Sequence, residues 1–283
     1  MKINTNVASL NAQESASAVN KQLQNSLNKL SSGLRINKAA DDASGLAIAD
    51  KLRTQASSLK QSIDNANSAA SFIQIGDKAM AEQSNILDIV KTKLIQAKNG
   101  TTSTAGRTAI LNDIQKLLTQ LDDIASQTNY NGINLLQGDS ASKAAKTVSF
   151  QVGETTNNTI DGAASIQSNT VGLSLSTLKT MTGGGVTFTA TVAGNWMAKI
   201  DSAIDTLNTS RSNFGSVQNQ LESAIRNMST TYTNVKAAES TIRDVDYAAE
   251  SANFNKQNII AQAGTYALSQ ANQVQQNVLK LLQ

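Results

Sequence analysis

Proline, cysteine and histidine are all absent from this 283-residue chain. Without proline, helices can run long with no forced kink, and folding meets no slow X–Pro isomerisation. Without cysteine, disulfides and thiolate metal sites are excluded. Without histidine, the commonest general base and metal ligand is missing, which closes both a Ser-His-Asp triad and a His-Glu-x-x-His metalloprotease site. Aromatic residues make up only 4% of the chain against 40% hydrophobic. Such a composition suits a thin, alanine-lined core between close-packed helices rather than a thick globule. The 24 basic and 21 acidic residues are scattered and leave a net charge of +3, which argues against a nucleic-acid surface. No apolar run approaches the ~20 residues that span a bilayer, so no membrane insertion is expected. Residues 1–10 carry one lysine and no continuous apolar stretch and do not read as a secretory signal peptide. These absences point to a structural chain, not an enzyme, with no cofactor or metal. Such a chain either stays inside the cell or leaves by a route that reads no such signal.

Helical periodicity fills both ends. Leu52, Ala56, Leu59, Ile63, Ala66, Ala70, Ile73, Met80, Leu87 and Leu94 follow alternating steps of three and four, with polar Asp77, Ser84 and Lys91 interleaved. That is a coiled-coil-like repeat, and a helix over about 43–98 would be on the order of 80 Å long at ~1.5 Å per residue. Asn99 and Gly100 break it. Ile110, Ile114, Leu117, Leu121 and Ile124 predict a second helix, stopped by Asn129–Gly132. Residues 139–195 turn to Gly, Ser, Thr and Asn, with two strand-like stretches at 147–152 (TVSFQV) and 186–192 (VTFTATV). Helical spacing resumes through Ile200, Ile204, Leu207, Phe214, Leu221, Ile225, Met228, Tyr232, Val235 and Ile242, with Arg211, Gln218 and Glu239 as polar interruptions. The extreme ends carry matching stripes: Ala12, Ala16, Val19, Leu23, Leu27, Leu30 and Leu34, and Ile260, Ala263, Ala267, Ala271, Val274, Val278 and Leu281, with Leu268 also assigned to the inner-core packing. Short isolated helices are marginal in water, so the two ends are expected to pair with each other and then with other copies, ordering on assembly.

The fold class expected is therefore mainly α. Long antiparallel coiled-coil helices from both chain ends would form an inner core and a rod layer, with a small surface insert containing a β-hairpin. The divisions expected are 1–42 and 243–283 for the inner core, 43–138 and 196–242 for the rod, and 139–195 for the insert. Rod packing is assigned to Leu59, Ile63, Ile73, Ile114, Leu121, Ile204, Leu207, Leu221 and Ile225. Asp41 and Asp42 are read as caps of the helix starting near Ala43 rather than an acid/base pair, since adjacent side chains point apart. The run 182–187 (TGGGVT) lacks the Lys-Ser/Thr of a phosphate loop and reads as a turn. Trp196 is read as a packing plug at a helix start, and Arg211 equally as an ion-pair partner or a solvated interruption.

Three blocks carry a resemblance. Residues 30–52 (LSSGLRINKAADDASGLAIADKL), 128–138 (TNYNGINLLQG) and 243–282 (RDVDYAAESANFNKQNIIAQAGTYALSQANQVQQNVLKLL) resemble, in order, the signature regions of bacterial flagellins. The resemblance covers about 1–138 and 196–283. It implies a subunit of the bacterial flagellar filament used for swimming. The terminal helices would form the innermost tube, the next helices a rod layer, and the middle a surface insert. It implies a homopolymer, an export chaperone, a secretion apparatus, and filament-cap and hook-associated junction proteins as partners, with an extracellular destination. The chaperone is assigned to Leu268, Val274, Val278 and Leu281, and surface sugars to Ser165, Ser168 and Thr170. Where related proteins present an Arg, a Leu and a Glu to an animal innate receptor, this chain has Ile89, Lys93 and Leu117, which implies weak receptor activation. Two alternatives remain at this point: a hook–filament junction protein, and a secreted coiled-coil binding protein.

Overall fold

A computed structural model describes residues 5–138, 144–145, 147–162, 166–181 and 188–281, the side chains of 275 and 278–281 excepted. Helix starts follow the capping chemistry of the sequence. α1 (Val7–Ser32) opens on Asn6, whose Oδ1 accepts the Ser9 N–H at 3.2 Å. It closes on Gly33, whose φ of 71° lets its N–H donate back to the Lys29 carbonyl. α2 (Ala43–Lys98) opens on Asp42, whose Oδ1 accepts the Gly45 N–H at 2.9 Å. Asp41 points elsewhere: its Oδ2 accepts the backbone N–H groups of Lys38 at 2.9 Å and Asn37 at 3.0 Å. Those two donors, Lys38 first, hold its carboxyl below the ordinary range. α3 (Thr104–Gln127) is capped by Ser103. Then come the hairpin β1 (Asn129–Tyr130) and β2 (Ile133–Asn134), the strands β3 (Ser149–Gln151) and β4 (Thr159–Asp161), α4 (Ser176–Lys179), α5 (Ala190–Arg243) and α6 (Tyr247–Leu281). The expectation of a mainly α chain with a hairpin in its middle holds.

The β1–β2 turn has positive φ at both central residues, Asn131 (50°) and Gly132 (78°), the requirement of the two-residue hairpin turn that Asn-Gly satisfies. β3 lies within the expected 147–152 stretch and pairs antiparallel with β4, Phe150 opposite Ile160. The second expected strand is not one. Residues 186 and 187 lie outside the described residues, and from Ala190 onward the chain is α5. The Thr189 hydroxyl accepts the Val192 N–H at 3.3 Å and its carbonyl accepts Ala193 N–H at 3.0 Å. A helix cap thus overrides the β-branched composition. Trp196 is accordingly six residues into α5, buried, with Lys199 Nζ 4.5 Å from its ring centre. The run 182–187 lies outside the described residues.

The chain forms two compact units, Met1–Ser57 with Thr233–Gln283, and Ser58–Tyr232. The divisions fall inside α2 and α5 rather than at the helix breaks near 42 and 243.

In the unit Ser58–Tyr232, α2 buries a strict 3–4 series: Leu59, Ser62, Ala66, Ala69, Ile73, Gly76, Met80, Gln83, Leu87, Val90, Leu94 and Ala97. Every second member lies one residue before the position read from the sequence. Asp77 and Lys91 flank the core instead, and pair with Arg211 at 2.9 Å and Asp201 at 2.6 Å on α5. Arg211 is thus a half-exposed ion-pair partner. The Asp201 hydrogen bond raises the Lys91 pKa. The α3 core buries Ile110, Ile114 and Leu121 as read, with Leu111, and is offset the other way at Leu118 and Ala125, each one residue after the position read from the sequence. Of the assigned rod residues, Leu59, Ile73, Ile114, Leu121, Leu207 and Leu221 are buried; Ile63, Ile204 and Ile225 are half-buried.

The segment around 166–179 folds onto α3. Asp122 accepts the Thr170 N–H at 2.7 Å, the Thr170 hydroxyl at 2.8 Å and Lys179 Nζ at 2.6 Å. Gln83 Nε2 donates to the Leu121 and Ser168 carbonyls. Ser168 and Thr170 are each 2% exposed, so the assignment of surface sugars to them is corrected: their hydroxyls face inward to polar partners. Ser165 lies outside the described residues.

Candidate assembly interface

The unit Met1–Ser57 with Thr233–Gln283 is built on α1 and α6, which run antiparallel. Asn6 Nδ2 donates to the Ala271 carbonyl at 3.2 Å at one end, and the Tyr247 hydroxyl donates to the Leu30 carbonyl at 2.7 Å at the other. Between them the Ser26 hydroxyl donates to Glu250, and Asn253 Nδ2 donates to Ser26 Oγ at 3.3 Å. The turns closing the pair are tied backbone to backbone. Arg35 N–H donates to the Arg243 carbonyl at 2.7 Å, Val245 N–H to the Gly33 carbonyl at 3.0 Å, and the Arg35 guanidinium to the Ile242 carbonyl at 2.6 Å.

The seam mixes small and polar residues with Val19, Leu23, Leu30, Phe254 and Leu268. Ala12, Ala16, Val19, Leu23, Ser26 and Leu30 on α1 are buried or half-buried, as are Glu250, Phe254, Gln257, Ala261, Gly264, Leu268 and Ala271 on α6. Both series keep 3–4 spacing. Gly264 sits against Ala16, a Cβ there lying 4.0 Å from the alanine methyl. Of the residues assigned to inner-core packing, Val19, Leu23, Leu30, Leu34 and Leu268 are half-buried. Leu27 (53% exposed), Ile260 and Val274 are exposed, and the side chains of Val278 and Leu281 lie outside the described residues. Ala263 on the read α6 stripe is also exposed, so that stripe is not the face turned to α1.

Sequence reasoning missed Ser26, Glu250, Phe254, Ala261, Gly264 and Tyr247. Their spacing was the available signal, but a register traced by large apolar side chains passes over serine, glutamate, alanine and glycine. Other large apolar side chains face outward. Leu10, Leu27, Ile259 (67% exposed), Tyr266 (75% exposed) and Val274 lie on the open sides of the pair.

The residues aligned with the receptor contact sit in the other unit. Ile89 is exposed on α2 and Leu117 is half-buried on α3. Lys93 Nζ lies 3.0 Å from Asp113, whose carboxyl its hydrogen bond holds below the ordinary range. Among the described residues no group of three or more Asp or Glu could hold a metal, and no helix is long and apolar enough to cross a membrane.

The class these features define is a helical protein whose two chain ends zip together while leaving several large apolar side chains uncovered. Residues 3–141 match the bacterial flagellin N-terminal helical region, and residues 197–282 match the bacterial flagellin C-terminal helical region. Flagellin of Bacillus subtilis (strain 168) is 38% identical, with all of both chains covered. The flagellar filament 33 kDa core protein of Treponema phagedenis is 34% identical, again over the whole of both chains. The crystal structure of Bacillus cereus flagellin superposes with a TM-score of 0.50 at 28% identity, covering 62% of this chain and 94% of that one. The chain belongs to the bacterial flagellin family.

Proposed function

We propose that this chain is a structural subunit of the bacterial flagellar filament and polymerises through the α1–α6 pair. The observation that carries this reading is the set of large apolar side chains that the α1–α6 pairing leaves uncovered, Leu10, Leu27, Ile259, Tyr266 and Val274, over a seam whose own residues are mostly only half-buried. Full burial of a Leu, Ile or Val side chain contributes about 1.5–3 kcal/mol. Four such residues together with Tyr266 are of little use to an isolated chain and strongly favour contact with neighbours. The reading is structural rather than enzymatic, with the filament outside the cell as the destination. Residues 1–42 and 243–283 supply the filament's inner core, 43–138 and 196–242 its rod and 139–195 its surface insert, and the exposed α6 side chains are held by an export chaperone before assembly. Filament-cap and hook-associated proteins meet the same terminal helices. With Ile89, Lys93 and Leu117 in place of the residues that related proteins present, the rod is a weak agonist of the innate receptor.

The test is assembly from monomer. Heat-dissociated protein, cooled with short filament seeds, should grow long uniform filaments in electron micrographs. Removing 1–30 or 255–283 should abolish growth while the circular dichroism of the remaining helices persists. Rings or persistent monomers from the intact chain, or normal filaments from either deletion, contradict the proposal.

A further inference from the structure

The sequence holds two Asn-Gly dipeptides, Asn99–Gly100 and Asn131–Gly132, and both lie at exposed turns. Asn-Gly is the pair most open to intramolecular attack, because glycine puts no Cβ in the way of its own nitrogen. In that reaction the glycine N–H loses its proton to hydroxide, and the nitrogen attacks the asparagine Cγ. A C–N bond forms, the bond from Cγ to Nδ2 breaks, and ammonia leaves. Water then opens the cyclic imide to aspartate or isoaspartate. No oxidant or cofactor is needed. The structure treats the two sites very differently.

At Asn131 the left-handed backbone works against ring closure. An αL residue has ψ near about +47°, which puts its Cβ on the far side of the Cα–C bond from the following nitrogen. Closing the ring there requires undoing the turn. The pairing of Tyr130 with Ile133 and the edge-on packing of Tyr130 against Phe72, ring centres 5.9 Å apart, hold that turn shut.

At Asn99 the geometry runs the other way. Asn99 Oδ1 accepts the Thr101 N–H at 3.3 Å, which folds the carboxamide back along the peptide it must attack. Gly100 is open, a Cβ there meeting nothing within 4 Å. The Asn99 carbonyl oxygen, part of the same amide as the Gly100 nitrogen, accepts from Arg107 Nη2 at 3.2 Å and Thr102 N–H at 3.2 Å. A guanidinium on that oxygen draws charge out of the amide and stabilises the deprotonated nitrogen. Arg107 is itself fixed by donating Nε to the Ala97 carbonyl at 2.9 Å.

We propose that Asn99 is a self-modification site, converting to aspartate and isoaspartate with Arg107 as the positioning and activating residue, while Asn131 is shielded by its hairpin. The change puts a carboxylate at the corner between α2 and α3, and for isoaspartate an extra methylene in the main chain.

The full chain, held in mildly alkaline buffer and sampled over time, is digested with trypsin. The gain of about 1 Da per conversion is read separately in the peptide that begins at Asn99 and in the one that contains Asn131. In the native protein Asn99 should convert at least about tenfold faster than Asn131, a barrier difference of about 1.4 kcal/mol. In urea the two should converge. Arg107→Gln should slow Asn99 severalfold in the native chain and change nothing in urea, with Arg107→Lys intermediate. Equal native rates, or faster conversion at Asn131, overturn the site assignment. An unchanged or raised rate in R107Q overturns the role of Arg107.

Discussion

Two glycines inside long helices should respond to the same substitution with opposite sign. Gly76 lies on the buried seam of α2, where a Cβ would fall 2.4 Å from Phe214 Cε2, 3.1 Å from its Cζ and 3.4 Å from Leu135 Cδ2. Phe214 is 2% exposed, so its ring has no open space to move into. Gly215, the next residue on α5, has nothing within 4 Å of an added Cβ. Replacing a mid-helix glycine by alanine gains about 1 kcal/mol of helix propensity. Forcing a methyl into a filled core costs about 1–3 kcal/mol. Gly215→Ala should therefore stabilise by up to about 1 kcal/mol, and Gly76→Ala should destabilise by up to about 2 kcal/mol once the propensity gain is subtracted. Phe214→Leu makes room. The double variant Gly76→Ala/Phe214→Leu should accordingly lose less than the sum of its single changes, with a coupling of at least about 1 kcal/mol. Urea unfolding followed by far-ultraviolet circular dichroism, on dilute protein to hold it monomeric, gives all four midpoints. If Gly76→Ala raises the midpoint as Gly215→Ala does, or the cycle shows no coupling, the ring is not what holds glycine at 76.

Other expectations follow from polar contacts. Asp122→Asn should loosen the segment around 166–179, because it weakens one ion pair and two hydrogen bonds at once. The cost should be about 1–3 kcal/mol, seen as faster amide exchange at Thr170 with α2 exchange unaltered. Unchanged exchange at Thr170 would show the carboxylate is dispensable. Asp41 has a depressed carboxyl pKa, so its hold on the 37–41 turn is complete above the unfolded carboxylate range and is lost as pH falls through the lower folded value. Amide protons of Asn37 and Lys38 should exchange faster, relative to intrinsic rates, below that point, and Asp41→Asn should flatten the dependence; an equally steep profile in the variant would exclude Asp41 as the titrating group.

The layout of helices and the stop at 129–132 were legible in the sequence, because proline is absent and Asn-Gly marks a turn; that the turn closes a hairpin shows only in its two positive φ values and the pairing of Tyr130 with Ile133. The heptad was legible at Leu59, Ala66, Ile73, Met80, Leu87 and Leu94, where a large or strictly buried residue recurs every seven. Its second position was misplaced by one residue, because Ser62, Ala69, Gly76 and Gln83 are too small or too polar to register as core. Only the partner surface, such as the Phe214 ring over Gly76, shows why they are buried. The same blindness hid the α6 seam at Ala261 and Gly264. The β-branched run after residue 186 failed for a different reason: one hydroxyl at Thr189 starts a helix that composition alone disfavours. The inward-facing Ser168 and Thr170 depend on Asp122 and Gln83, each tens of residues away in the chain.

The half-covered seam between α1 and α6 has a thermodynamic corollary. A pair whose facing residues stay mostly half-buried releases only part of its ordered water when it forms, while the aliphatic and tyrosyl side chains left outside release theirs only as subunits meet. Growth of the polymer should thus carry the larger negative heat-capacity change and be driven by solvent entropy near room temperature. Cooling would then favour dissociation at the ends, and gentle warming would lower the concentration at which the polymer persists.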